Sequence, residues 1–305
     1  MRSFAIFLAL IALALAGIAL FTYPAWLATQ SLGLDFKFHR IASRIAMLTF
    51  FAGFVLVARR LGVADRASLG FALPRAAFLR ELGQAFVLGA VLMLPVLGTM
   101  VALDMRVLRP DLALDAAGWA KLIGFAAGTG LVVALLEETA MRGAMHSAIA
   151  RESGALRAVV LVSLVYAASH FFAKTRIAPE QIGPGSGLDM LAGMLRAFAD
   201  PLAILDAFLC LFAVGVLLGM VRHFTGNIAA CMGLHASWVA IITVVRETSA
   251  RRESGPVAFL MSDYDGFIGW MVLAWTVVIG LALWWWYGRR VVPGRVVPGR
   301  ESREK

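Results

Sequence analysis

Two adjacent acidic residues and an arginine interrupt a long apolar stretch near the middle of this chain. The segment 123–136 contains no charged residue, and Glu137, Glu138 and Arg142 follow it directly. Charged groups are costly inside an apolar membrane segment, so those that occur there usually have partners and a function. Carboxylates in such a place can act as general bases, bind metal ions or form structural ion pairs.

Helix geometry separates the two carboxylates. Glu138 and Arg142 are four residues apart, so they can pair on one face of a helix. Glu137 lies about 100° further round the same helix. One acid can therefore be neutralised by the arginine while the other points elsewhere. The alternative is that both acids belong to one ion-pair network that only fixes helix packing.

The next apolar segment offers a partner for Glu137. Tyr166 and His170 are four residues apart and share a helix face. A turn is expected near 152–154, where Ser and Gly occur. If the two helices fold back at this turn, Glu137 and His170 both lie about 25 Å from it, since a helix rises 1.5 Å per residue. We therefore predict that this carboxylate and this imidazole meet.

His235 is the third candidate in an apolar segment. A second turn is expected near 224–226, and His235 lies about 15 Å beyond it. This depth agrees with the first pair if the longer hairpin projects one or two turns further. The other histidines lie near loops or the ends of spans, and we interpret them as interfacial: His39, His146 and His223.

The composition indicates a membrane protein that positions these residues on spanning helices. The chain is 61% hydrophobic and 15% charged, against about 45–50% and 25% in soluble domains. We predict an all-α, polytopic transmembrane bundle of about eight spans, each near 20 apolar residues. The spans are about 3–22, 42–58, 83–103, 118–148, 157–173, 202–222, 227–246 and 267–288. A single bundle would cover 1–288, followed by a basic cytosolic tail at 289–305.

The charge distribution predicts the orientation. The net charge of +9 comes mainly from Lys and Arg in short loops and in the tail, as membrane topology requires. Membrane lipid, and not nucleic acid, is therefore the expected partner of the basic residues. The segment 59–81 and the tail are basic, whereas the connections on the opposite side carry most of the acid. Both termini are then expected in the cytosol.

Three motifs together resemble the CPBP family of intramembrane proteases, which comprises CAAX-type prenyl-protein endopeptidases and bacteriocin-processing (Abi) proteins. The family patterns are Glu-Glu-x-x-x-Arg followed by Gly, Phe-x-x-x-His, and His-x-x-x-Asn. The matching segments are Glu137-Glu138-Thr-Ala-Met-Arg142-Gly143, Tyr166-Ala-Ala-Ser-His170 and His235-Ala-Ser-Trp-Val239. The resemblance covers about 117–246.

The resemblance implies roles for the site residues. Glu137 would be the general base that activates water, helped by His170, and His235 would stabilise the oxyanion together with the family's Asn. Glu138, paired with Arg142, would hold the helix face and set the field around Glu137, and Tyr166 would support the site. The protein would lie in a bacterial plasma membrane. Its substrate would be a membrane-associated protein or peptide, and whether that substrate is lipidated stays open.

Val239 departs from the family pattern because valine has no hydrogen-bond donor. Loss of one oxyanion donor typically costs about a hundredfold in rate. A second hypothesis is therefore a weakened or inactive descendant that acts as a membrane binding or immunity protein. A third is a transporter that uses the acids and histidines as a proton relay.

A zinc site built from Glu137, His170 and His235 is an alternative that we do not favour. Two histidines and a carboxylate bind zinc in some hydrolases. The sequence has no His-Glu-x-x-His pattern, and one glutamate can hardly be both a tight ligand and the base. Arg142 would compete for Glu138. We therefore expect a glutamate mechanism without a metal or other cofactor.

Overall fold

The computed structural model describes residues 1–110, 112–172 and 175–290, which form a helical bundle. The α-helices in these residues are α1 Arg2–Ser31, α2 Phe38–Ala58, α3 Arg75–Ala102, α4 Ala116–Glu138, α5 His146–Ser153, α6 Ala155–Ser169, α7 Ser186–Leu195, α8 Leu205–Thr225, α9 Ala229–Thr248 and α10 Trp270–Arg290. A π-helical segment, Thr139–Met145, joins α4 to α5. Short 3₁₀ turns lie at Pro179–Gln181, Arg196–Ala199 and Ala258–Leu260.

Seven of the described helical stretches are long and apolar enough to cross a membrane, which confirms the polytopic helical bundle. The predicted overlong fourth span is one stretch of 38 residues, Ala116–Ser153. The predicted fifth span is shorter than expected. Helix α6 has 15 residues, which is about 22 Å against a hydrocarbon core of about 30 Å. It ends because the amides of His170 and Phe171 bond to carbonyls only three residues back.

Glycines form both predicted hairpin turns. Gly154 separates α5 from α6 with φ +86°, and Gly226 separates α8 from α9 with φ +71°. Positive φ is accessible to glycine at little cost because it has no Cβ. The turns therefore lie where the sequence predicts them, and α6 and α9 both begin at the same end of the bundle.

Helix α9 lies at the centre of the bundle, where it packs against α3 and α4. Its neighbours approach so closely that glycine is required at the contacts. A Cβ on Gly130 of α4 would lie 2.3 Å from the carbonyl oxygen of Ala236, and one on Gly233 of α9 would lie 2.3 Å from that of Leu82. Small residues commonly allow this kind of backbone contact between membrane helices.

A short two-stranded ribbon closes the end of the bundle opposite the glycine turns. Strands β1 Arg106–Leu108 and β2 Ser249–Arg251 pair antiparallel. The Arg106 guanidinium fastens the ribbon by donating to Ser249 and to the carbonyl of Gly266. The ribbon thereby ties the α3–α4 connection to the α9–α10 connection. The predicted basic tail falls largely at 291–305, outside the described residues.

Substituting Gly130 tests the α4–α9 contact. Gly130→Ala places a methyl group against a backbone carbonyl that cannot move aside, so we expect a loss of about 1–3 kcal/mol in the free energy of unfolding. Gly128→Ala is the matched control, because a Cβ there meets nothing within 4 Å. Unfolding in mixed micelles measures both variants, and equal stability of the two would contradict the close contact.

Candidate active site

The two carboxylates lie where α4 changes its helical form. Glu137 and Glu138 end α4, and the π-helical segment that carries Arg142 follows at once. Single π-helical turns occur mainly at functional sites. The segment packs through Gly143, where a Cβ would lie 2.5 Å from the carbonyl oxygen of Leu69. This contact gives a physical reason for a glycine directly after Arg142.

The α2–α3 loop that supplies Leu69 is itself fixed by hydrogen bonds. The Asp65 carboxylate accepts from the hydroxyl and the amide of Ser68. These bonds hold the pKa of Asp65 below its ordinary value. Arg151 donates to the Ser68 hydroxyl and to the carbonyl of Leu61. The loop therefore offers Gly143 a rigid surface.

Glu138 is fully buried and is the anion around which the site is built. Its Oε1 accepts from Arg142 Nη1 at 2.9 Å and from His235 Nδ1 at 2.8 Å. Arg142 is fully buried as well, and it also donates to the carbonyl of Gly215 at 3.3 Å. The Arg142 guanidinium lies 4.4 Å from the ring centre of Tyr166. The expected pair of Glu138 and Arg142 is thus present.

His235 joins both carboxylates. Its Nδ1 contacts Glu138, and a carboxylate oxygen can only accept, so Nδ1 carries the proton. Its Nε2 then faces the other acid, 3.9 Å from Glu137 Oε2. That separation is too long for a direct hydrogen bond. Glu138 therefore orients His235 with one ring nitrogen towards Glu137.

Glu137 has a different environment from its neighbour. Its side chain is 36% exposed, whereas that of Glu138 is completely enclosed. One oxygen of Glu137, Oε2, is buried and has no hydrogen-bond partner among the described residues. An unpaired carboxylate oxygen beside an imidazole can accept a proton from a bound water. The two adjacent acids therefore differ as helix geometry predicts.

The expected direct partnership of Glu137 with His170 is wrong. No hydrogen bond or ion pair joins them in the described part of the chain; His235 lies beside Glu137 instead. The ring of His170 is held back along α6, because its Nδ1 donates to the carbonyl of Tyr166 at 2.8 Å. Helix α4 packs on α9, whereas α6 packs mainly on α8. Equal depth in the bundle therefore does not bring these two side chains into direct contact.

A cavity of about 240 Å³ adjoins the histidines. Tyr166, His170 and His235 line one part of it, and Val239 forms part of its wall. Arg246 lies about 16 Å from His235 along α9. It forms an ion pair with Asp265, and both side chains line the part of the cavity away from the histidines. Most of the remaining lining is apolar. Glu137 is not a lining residue; it lies beside His235.

Sequence reasoning missed several residues that support the site. Arg222 of α8 donates from Nε to the carbonyl of Arg142 at 3.0 Å and lies within 3.4 Å of the Ser147 hydroxyl. Tyr264 donates to the carbonyl of His170 at 3.1 Å. An arginine near the end of an apolar span is the signal that could have identified Arg222. The interfacial interpretation of His146 is wrong, because this residue is buried.

The three predicted ligands, Glu137, His170 and His235, do not form a metal-binding group in the described residues. In the described residues no three His, Cys, Asp or Glu side chains are grouped so as to hold a metal ion. Glu138 contacts His235, but the same carboxylate oxygen, Oε1, already accepts a hydrogen bond from Arg142. A cation bound there would have to displace or repel a buried guanidinium.

Neutralising Glu138 tests its structural role. Glu138→Gln leaves the buried Arg142 without a counter-charge, and breaking a buried ion pair typically costs about 3–5 kcal/mol. We expect the free energy of unfolding to fall by that order in detergent micelles. Glu137→Gln is the matched control at the adjacent position, and we expect a change below about 1 kcal/mol because this side chain is partly exposed. A smaller loss for Glu138→Gln than for the control would contradict the assignment.

Comparison with known proteins agrees with the arrangement of the motifs. Residues 119–241 match a family model described as type II CAAX prenyl endopeptidase Rce1-like. No significant match was found among curated proteins or among solved structures. The matched segment contains both carboxylates, Arg142, His170 and His235, and it nearly coincides with the predicted core of about 117–246. Residues 119–241 are therefore similar to the Rce1-like family of type II CAAX prenyl endopeptidases.

Proposed function

We propose that this integral membrane protein is an endopeptidase that hydrolyses a peptide bond with water activated by Glu137. The observation that carries the proposal is that the two adjacent acids have different surroundings. Glu138 is completely enclosed, and its Oε1 is shared by Arg142 and His235, whereas Glu137 is partly exposed and forms no hydrogen bond with a described residue. Of the two acids, Glu137 is therefore the one that a bound water can reach and that no arginine neutralises.

The reaction begins with a water molecule bound near Glu137 and His235. Glu137 takes one proton from the water as its oxygen attacks the carbonyl carbon of the substrate. A C–O bond forms, and the carbonyl π electrons move onto the carbonyl oxygen.

His170 helps to hold the water, and Glu137 completes the proton transfer. His170 donates its Nδ1 proton to the Tyr166 carbonyl, so its Nε2 is left as an acceptor. It can assist Glu137 by polarising the water. When the tetrahedral intermediate collapses, the C–N bond breaks, and the proton held by Glu137 passes to the leaving nitrogen. The products are a new carboxyl group and an amine, and Glu137 returns to its anionic form.

The cavity suits an apolar peptide segment. It has a volume of about 240 Å³ and a largely aliphatic and aromatic lining, which accommodates a few side chains and excludes a folded domain. We therefore propose a membrane-associated protein or peptide as the substrate. A lipid chain attached to that substrate is an additional feature that the reaction does not require, so the assay below compares both forms.

Val239 favours one alternative. It lines the cavity one helical turn after His235 and offers only methyl groups to a substrate. A protein that binds a membrane peptide here without cleaving it would need the cavity but not the donor. This binding function predicts that substitution of Glu137 leaves the biological activity intact.

Substitution of the base and its helper tests hydrolysis. We expect Glu137→Gln and His170→Ala each to abolish cleavage, because the first removes the proton acceptor and the second its polarising partner. The measurement uses purified protein in liposomes with a quenched fluorescent peptide that ends in a prenylated CAAX sequence, beside the same peptide without the prenyl group. Comparing membrane proteins from cells with and without the enzyme would identify native precursors.

Controls separate chemistry from folding and from metal dependence. Glu180→Ala removes an exposed loop carboxylate and should leave cleavage unchanged. Full activity of either site variant would refute the glutamate mechanism. The assay is repeated after exhaustive chelation, where we expect activity to persist; a loss that zinc restores would contradict a metal-free reaction.

We propose further that the termini lie in the cytosol. The first residue contacts Glu152, Arg151 donates to Leu61, and the Ile228 amide donates to Gly70. The N-terminus, the α2–α3 loop and both glycine turns therefore share one end of the bundle. That end carries the arginine-rich 59–81 segment, as cytosolic loops do.

Reporter fusions test this orientation. With α10 ending at the same side as the N-terminus, a C-terminal green fluorescent protein should fluoresce and a C-terminal alkaline phosphatase should be inactive. The cavity would then lie nearer the outer face, since His170 and Arg246 lie at the helix ends away from the glycine turns. Active phosphatase with dark fluorescent protein would reverse the orientation.

A further inference from the structure

We infer that the hydroxyl group of Tyr166 donates a hydrogen bond to the oxyanion and replaces the donor that Val239 cannot provide. The inference rests on the proposed function, because an oxyanion forms only if a peptide bond is attacked. Such donors must be held in place before the reaction to be effective. The question is which group at the cavity can fill this role.

Most polar side chains that line the cavity already use their donors within the protein. These are His170 to the Tyr166 carbonyl, His235 to Glu138, Thr243 to the Val239 carbonyl, Thr276 to the Val272 carbonyl and Arg246 to Asp265. Two lining side chains, Tyr166 and Trp238, have donors that form no hydrogen bond with any described residue. Arg246 has further N–H groups, but it lies about 16 Å from His235 along α9, so an oxyanion near the histidines has the donors of Tyr166 and Trp238 available.

Tyr166 is the better placed of the two. Its ring lies between the histidines, with ring centres 4.6 Å from His170 and 6.1 Å from His235. The residue is only 3% exposed, but its hydroxyl oxygen is not completely enclosed. The small exposed area thus includes this oxygen, and Tyr166 lines the cavity. The hydroxyl is open to the space in which a substrate carbonyl would lie.

The surroundings of Tyr166 hold its ring in place. The Arg142 guanidinium lies over its ring at 4.4 Å, a favourable cation–π contact. The backbone carbonyl of Tyr166 is fixed by His170. The donor is therefore organised before substrate binds.

Two departures from the family motifs then explain each other. Position 166 carries tyrosine where the pattern has phenylalanine, and position 239 carries valine where it has asparagine. Both side chains line the same cavity. One position loses a donor and the other gains one. The tyrosine keeps its proton throughout, because it only donates a hydrogen bond to the oxygen that receives the carbonyl electrons.

The conservative variant Tyr166→Phe tests this role. It removes one oxygen atom and leaves the ring under Arg142, so the fold and substrate binding should persist. In the peptide assay we expect kcat to fall about a hundredfold with KM changed little, as for loss of one oxyanion donor. Adding Val239→Asn to Tyr166→Phe should restore most of the loss. Tyr23→Phe in α1 removes a hydroxyl far from the site and should have no effect.

Three results would overturn the inference. Tyr166→Phe could retain full kcat, Trp238→Phe could lower kcat more than Tyr166→Phe does, or Val239→Asn could fail to rescue the loss. If Glu137→Gln abolishes cleavage while Tyr166→Phe does not, only the inference fails. If the unaltered protein cleaves neither peptide and no native precursor, the proposed function fails and the inference fails with it.

Discussion

The buried charge of Glu138 is the constraint on which the rest of the site depends. A carboxylate that is completely enclosed in an apolar bundle is tolerated only with close positive or donor groups around it. Arg142 and His235 meet this need at 2.9 and 2.8 Å. They come from the π-helical segment and from α9, so the requirement fixes how these two elements face each other. Gly130 makes the resulting approach sterically feasible.

The ion pair and the hydrogen bond at Glu138 Oε1 also define what Glu137 can do. Because one guanidinium and one imidazole are committed to the inner acid, the outer acid lacks a hydrogen-bond partner among the described residues while remaining partly exposed. His235 is shared, since its Nδ1 is bound to Glu138 and its Nε2 is directed towards Glu137. The inner acid thus positions the ring that faces the outer one. Two consecutive glutamates thus have different surroundings: Glu138 is an enclosed ion-pair partner, and Glu137 is the proposed base.

The sequence predicted the parts of this arrangement that depend on local geometry. Apolar runs indicated the spans, glycine indicated the hairpin turns, and four-residue spacing indicated the pair of Glu138 and Arg142. The partner of Glu137 could not be obtained in this way. Counting residues from a turn gives the depth of a side chain but not which helices are neighbours. That choice depends on close backbone contacts, as at Gly130, and on the hydrogen bond that holds the His170 ring against the Tyr166 carbonyl.

Irregular backbone surrounds the site, and the site's own side chains compensate for it. Within a membrane, unpaired carbonyl groups are tolerated only where protein groups or a polar cavity satisfy them. Carbonyls near the π-helical segment and the end of α6 accept from side chains: Arg142 from Arg222, Tyr166 from His170, and His170 from Tyr264. A regular helix would leave these polar side chains without such acceptors. The departures from helical geometry therefore bring catalytic groups and backbone acceptors together, and they explain why the polar residues cluster at this depth.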